Sequence, residues 1–162
     1  MKHVRIYKRE LEPATTALAA WIQTLRFGLL STRLGMVKGV IAPLAQGVYY
    51  DREALIDDHA VWDVTGDGAG EQRVKRMKPY LRGGEVVGEE VVLKDSQKFQ
   101  KALRDMMQEE ITIEIPFLFT EQDVKDSDKN INKENKNPPV VDFGALLCLY
   151  EGSARVVDAE QQ

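Results

Sequence analysis

Five cations fall within ten residues of the segment RVKRMKPYLR: Arg73, Lys75, Arg76, Lys78 and Arg82, with Tyr80 among them. Side chains of this kind meet phosphates or acidic protein surfaces, and a tyrosine ring can stack on a base. If the segment is extended, Arg73, Lys75 and Met77 share one face while Val74, Arg76 and Lys78 share the other. Positive charge then points both ways, which suits a protruding basic finger better than a buried strand. The competing reading keeps the charges at home, against the acidic stretch YYDREALIDDH or the polar stretch 120–139. A second cationic surface is expected from Arg26, Arg33 and Lys38, because residues 13–50 contain no Asp or Glu.

The segment before the basic run, DVTGDGAGE, opens like a calcium loop. Asp63, Thr65, Asp67 and Gly68 occupy positions 1, 3, 5 and 6 of the EF-hand scheme. Position 12 calls for a bidentate glutamate and holds Val74, and Glu71 at position 9 does not replace it. A turn built from Asp and Gly is therefore expected, and no metal site. Catalytic constellations are equally thin. His3 and His59 lie on different expected elements, outside zinc-ligand spacing. No GxSxG elbow, Walker loop or GxGxxG occurs. The pairs Asp57–Asp58 and Glu109–Glu110 are adjacent, so on a helix their side chains diverge by about 100°. Neither an enzyme nor a cofactor is expected.

These side chains need a scaffold, and the totals bound it. A chain of 162 residues, 43% apolar and 30% charged, is expected to form a single globular domain. One cysteine, Cys148 in ALLCLY, allows no intramolecular disulfide and points to a reducing, cytoplasmic setting. The opening MKHVRIYKRELEP lacks the apolar core of a signal peptide. The most apolar run, residues 34–50, is interrupted by Lys38, Pro43 and Gln46, so no membrane span is expected. The net charge of −4 conceals a polarity: +5 over residues 1–50 and −9 over the remainder.

The expected fold class is α+β: an N-terminal helical hairpin packed with a small, mainly antiparallel sheet and one or two further helices. VRIY alternates as a short strand does. Pro13 suits a helix start, and Leu18, Ile22, Leu25 and Leu29 recur at helical spacing, which predicts a first helix over 13–30. Ser31 and Thr32 can cap a second helix carrying Leu34, Val37, Ile41, Leu44, Val48 and Leu55. Pro43 should kink or split it. Together these are expected to form a helical hairpin over 13–59. Residues 60–119 read as a β-hairpin, helix and strand unit: GDGAG and RGGE bracket the basic run, and EEVVL pairs back. Asp95 or Ser96 then caps a helix with the stripe Phe99, Ala102, Leu103, Met106 and Met107. At Glu110 the period switches to two, with Ile111, Ile113 and Ile115 inward. Residues 120–139 read as a polar loop with at most one helical turn, and 140–152 as a short apolar element, a helix capped by Asp142 or a strand.

The phrase KFQKALRDMMQEEITIEIP, after the strand-like VVLKD, resembles a family of small tailed-phage proteins of unknown function. The likeness extends over about residues 30–120. The family's helical segment of small and basic residues corresponds to STRLGMVKGVIAPL, and its acidic helix to YYDREALIDDHAVWD. It implies a phage or prophage origin and an accessory, non-enzymatic role, with no catalytic residues to carry over. The basic finger and the asparagine-rich loop depart from the family pattern.

The expected function is that of a small binding protein that occludes or sequesters a host macromolecule, as anti-defence inhibitors do. Its contacts would come from the basic finger and from Arg26, Arg33 and Lys38. Two alternatives stand beside it: a virion-assembly or scaffold protein that forms a homo-oligomer through its helical hairpin, and a nucleic-acid-binding accessory protein.

Overall fold

A computed structural model describes residues 1–66, 71–153 and 155–157. The chain is α+β. Where length alone suggests one domain, the contacts group it into two compact units: Met1–Val48 with Met107–Gln162, and Tyr49–Met106.

The first unit begins with strand β1 (Lys2–Tyr7), whose alternation buries Val4 and Ile6 completely. Helix α1 (Lys8–Thr24) follows directly, one turn earlier than Pro13 suggests. The Glu10 carboxylate accepts the Tyr7 N–H at 2.9 Å and so supplies the cap. Pro13 is accommodated because the bond it forgoes is to the carbonyl of Arg9, an exposed residue that water can reach. The helix stops at Thr24 rather than at residue 30, because Leu25 forms an antiparallel bridge with Ile131. Helix α2 (Leu29–His59) then starts on a reciprocal cap. The Ser31 hydroxyl accepts the Gly28 N–H and donates to the Gly28 carbonyl, both at 2.9 Å. Pro43 does not split it. The carbonyl left without a partner belongs to Gly39, which is exposed, as is Pro43 itself.

Strand β6 (Glu110–Ile115) lies antiparallel to β1, from Lys2 opposite Ile115 to Tyr7 opposite Glu110. On β1's other side the short β7 (Val156–Val157) completes the sheet. Val4 faces Ile113 and Ile6 faces Ile111, so the period-two signals of two distant segments share one face. Leu11, Leu18 and Trp21 of α1, and Leu34, Val37 and Ile41 of α2, close over it. Each such burial is worth about 1.5–3 kcal/mol relative to exposure.

The stretch expected to be a polar loop carries helix α4 (Glu121–Ser127). The Thr120 hydroxyl accepts the Asp123 N–H at 3.2 Å, and the Asp123 carboxylate takes the Thr120 N–H at 2.8 Å, a reciprocal cap. A 3₁₀ turn (Asp128–Asn130) follows. The asparagine-rich segment is then tied to the end of α1, with Asn132 N–H donating to Thr24 and Arg26 N–H to Asn130, each at 2.8 Å. The last apolar element is a 3₁₀ helix, Gly144–Leu149, with Asp142 accepting the Ala145 N–H as expected.

The second unit holds the remainder of α2, strands β2 (Trp62–Thr65), β3 (Gln72–Lys75), β4 (Met77–Arg82) and β5 (Glu85–Val91), and helix α3 (Ser96–Met107) up to Met106. Asp95 caps α3, accepting from the N–H groups of Gln97 and Lys98 at 3.0 Å. Those bonds hold its carboxyl below the usual range. Among the described residues of this unit, Ala60 and Phe99 are the buried apolar ones, Phe99 packing edge-on against His59 at 5.7 Å. Among the described residues, no helix is long and apolar enough to cross a membrane.

Candidate functional site

The basic run does not form one continuous strand. Its pairing changes at Arg76, where three chain segments meet in a closed ring of backbone bonds. Arg76 N–H donates to Val61, Val61 N–H to Val92, and Val92 N–H to Arg76, each at 2.8 Å. Each residue gives its donor to one neighbour and takes from the other, so all three are satisfied at a point where two ladders part. The bridge between Ala60 and Leu93, and the bond from Lys94 N–H to His59, extend the junction toward α3. The Arg76 guanidinium is held by Asp63 in two bonds, of 3.0 and 2.6 Å. That hydrogen bonding depresses the Asp63 carboxyl and raises Arg76. Arg76 is thus a structural clasp.

On one side of the junction β2 and β3 pair antiparallel, placing Trp62 opposite Lys75 and Val64 opposite Arg73. Both cations lie over the indole of Trp62, 5.6 Å from its centroid. Lys75 also pairs with Asp57 of α2, whose hydrogen bond raises the lysine's pKa. Asp63, the first residue of the calcium-like sequence, sits in β2 opposite Val74 and is engaged with Arg76. Its continuation Asp67–Gly70, including the expected turn, lies outside the described residues. Among the described residues, no group of three or more His, Cys, Asp or Glu side chains is placed to hold a metal ion.

On the other side β4 and β5 form a two-stranded ribbon closed by Gly83 and Gly84. Their φ values of 62° and 88° are those of a type I′ turn, whose twist matches the flanking strands. Lys78 pairs across with Glu90 at 3.0 Å. Arg82 stands opposite Glu85, and exposed Tyr80 opposite Gly88. The other face collects Met77 opposite Val91, Pro79 opposite Glu89 and, past a register shift at Tyr80 and Leu81, Leu81 opposite Val86. Met77, Leu81 and Val86 are 44%, 57% and 66% exposed. Val91 is half-buried, and the rest of this apolar face is open to solvent, with the Glu89 carboxylate in its middle. Among the described residues that carboxylate has no ion-pair partner.

Sequence reasoning singled out the ribbon's cations and missed this face. A signal existed, since M-K-P-Y-L-R alternates and R-G-G-E specifies a two-residue turn, so cross-strand partners can be counted outward. The register shift, which beyond Leu81 places Val91 rather than Glu90 opposite Met77, is not in that count.

The cations of the acid-free segment lie elsewhere, in the first unit. Arg26 is in the turn between α1 and α2, Arg33 rests on the Phe117 ring at 5.4 Å, and Lys38 is half-buried on α2. That turn also displays Phe27, 97% exposed, and Leu29, 68% exposed. A cleft of about 300 Å³ runs beside it, where Asp123 and Asp126 already serve Thr120 and Lys129. Cys148 is buried, and burial pushes its thiol up to about 11, which leaves it un-ionised near neutrality.

Comparisons with protein-family models, with curated proteins and with solved structures each return no match to this chain.

Proposed function

We propose that this chain is a non-enzymatic binding protein and that the β4–β5 ribbon is its contact element. One observation carries the reading: a two-stranded ribbon that holds Met77, Leu81 and Val86 exposed on one face. Such a ribbon is marginal in water by itself and gains most from a surface laid against it. Its edges are poor places for that surface. Pro79 withholds a donor from β4, and Glu85, Glu89 and Glu90 crowd β5 with like charge, both common protections against strand addition. The face remains.

Charge favours a protein partner over nucleic acid. Residues 77–91 carry Lys78 and Arg82 against Glu85, Glu89 and Glu90, a balance of −1. The cations nearest the ribbon, Lys75 and Arg76, are committed to Asp57 and Asp63. The resemblance to small tailed-phage proteins supplies the proposed setting, a phage-encoded protein that acts by covering a partner, as anti-defence inhibitors do. A scaffold or virion-assembly role is the second reading. It is favoured by the apolar patch at the α1–α2 turn, whose Arg26 and Arg33 are opposite in charge to the ribbon face.

The test is a photo-crosslinking residue at Leu81 in the expressing cell, with Thr112, an exposed position on β6, as control. A discrete protein adduct at 81 and none at 112 is expected. Equal labelling at both positions, or adducts only with nucleic acid, would refute the reading.

A further inference from the structure

The ribbon face and the α1–α2 turn complement each other, and we infer that the ribbon's occupant is the α1–α2 turn of a second copy of this chain. The inference rests on the ribbon as contact element and follows the second, assembly reading of it. The ribbon offers Met77, Leu81 and Val86 around an unpaired carboxylate at Glu89. The turn offers Phe27 and Leu29, flanked by Arg26. Among the described residues the Arg26 side chain has no ion-pair partner, its backbone N–H alone being bonded, to Asn130.

Each surface supplies what the other lacks. An exposed phenylalanine needs an apolar floor. A lone glutamate in an apolar face needs a cation before water can be displaced from it, because burying it unpaired is costly. Pairing two ribbons face to face fails this requirement, since it brings two such glutamates into one interface with no cation on either face. Residues 13–50 hold no acid, and the carboxylates in the cleft beside the turn, Asp123 and Asp126, are already engaged with Thr120 and Lys129. Because the two surfaces are different, each contact joins the ribbon of one copy to the turn of another.

That asymmetry makes the inference testable on the full chain by sedimentation equilibrium. The wild type is expected to start at 18.3 kDa and rise in average mass over about a hundredfold range of concentration. Leu81→Asp and Phe27→Asp are each expected to stay monomeric. Mixed in equal amounts they should form a dimer and stop there, because the mixture holds one intact ribbon surface and one intact turn. A charge exchange guards against misfolding: Arg26→Glu and Glu89→Arg should each weaken association, and the double variant should regain it. A wild type that stays at monomer mass overturns the inference, as does a mixture that fails to dimerise or a Phe27→Asp variant that associates like wild type. If the wild type is monomeric while Leu81 still cross-links to another protein, the partner is foreign and the binding role survives without self-association.

Discussion

The first unit surrounds its central strand: β1 has a strand on either side and two helices over one face, and Val4, Ile6, Leu11, Leu18 and Ile115 are fully buried. The second spends a comparable variety of elements and, among its described residues, buries the apolar side chains of Ala60 and Phe99. Its order comes from backbone closure at the Val61–Arg76–Val92 ring, from the Asp63 and Asp57 ion pairs, and from a glycine turn. Hydrogen bonds and exposed ion pairs specify geometry well but contribute modestly to net stability. The contrast teaches that the two parts are held in different ways, one by a shared apolar core and the other by backbone closure and ion pairs.

The largest expected difference is in hydrogen exchange. Amides of Val4, Ile6 and Ile113 should exchange only through global opening, about 5–15 kcal/mol uphill, while those of Tyr80 and Gly88 should exchange within a few kcal/mol of the free chain. Equal protection in ribbon and sheet would break the comparison. Next in size is a truncation in the core. Trp21→Ala removes a ring that packs edge-on against Phe119 at 5.3 Å and Phe143 at 5.0 Å. It should cost about 3–5 kcal/mol in urea unfolding.

A smaller effect comes from acid. Burial would raise the Glu10 carboxyl, but the hydrogen bond from Arg155, the Tyr7 N–H and the nearby Arg155 and Arg9 charges together hold it below its ordinary 4.5. A depressed carboxyl lends stability that is present above the ordinary value and is lost as pH falls through the folded one. The melting temperature should therefore fall below about pH 4.5 in wild type. In Arg155→Ala the Glu10 carboxyl should titrate at higher pH, measured by NMR. The smallest effect is expected at Leu81→Ala in the ribbon, within about 0.5 kcal/mol for the isolated chain, because nothing there is buried. A loss comparable to that of Trp21→Ala would mean that the ribbon face is already covered in solution.

Asp95, the stripe of α3 and the alternation through Ile111, Ile113 and Ile115 are local patterns, and they stand in the structure where they were expected. Thr120 and Asp123 have the spacing of a reciprocal cap, a local signal that the polar composition of 120–139 hides. Neither the composition nor the period tells that β6 leaves its sequence neighbour α3 to pair with β1, because partner choice depends on which apolar faces meet.

Taken alone, the sequence determined the elements: where the period is 3.6 or two, where glycines turn the chain, and where acid is absent over residues 13–50. The tertiary structure decided what the charged residues do. Arg76 became a clasp and Lys78 a cross-strand partner because carboxylates from other strands came within bonding distance. The apolar face took its pairing because a register shift, set by pairing between strands, aligned Met77 with Val91 rather than with Glu90. Local pattern is fixed by bonded neighbours, whereas charge partners and faces are fixed by which strands lie side by side, and that is settled only when the chain folds.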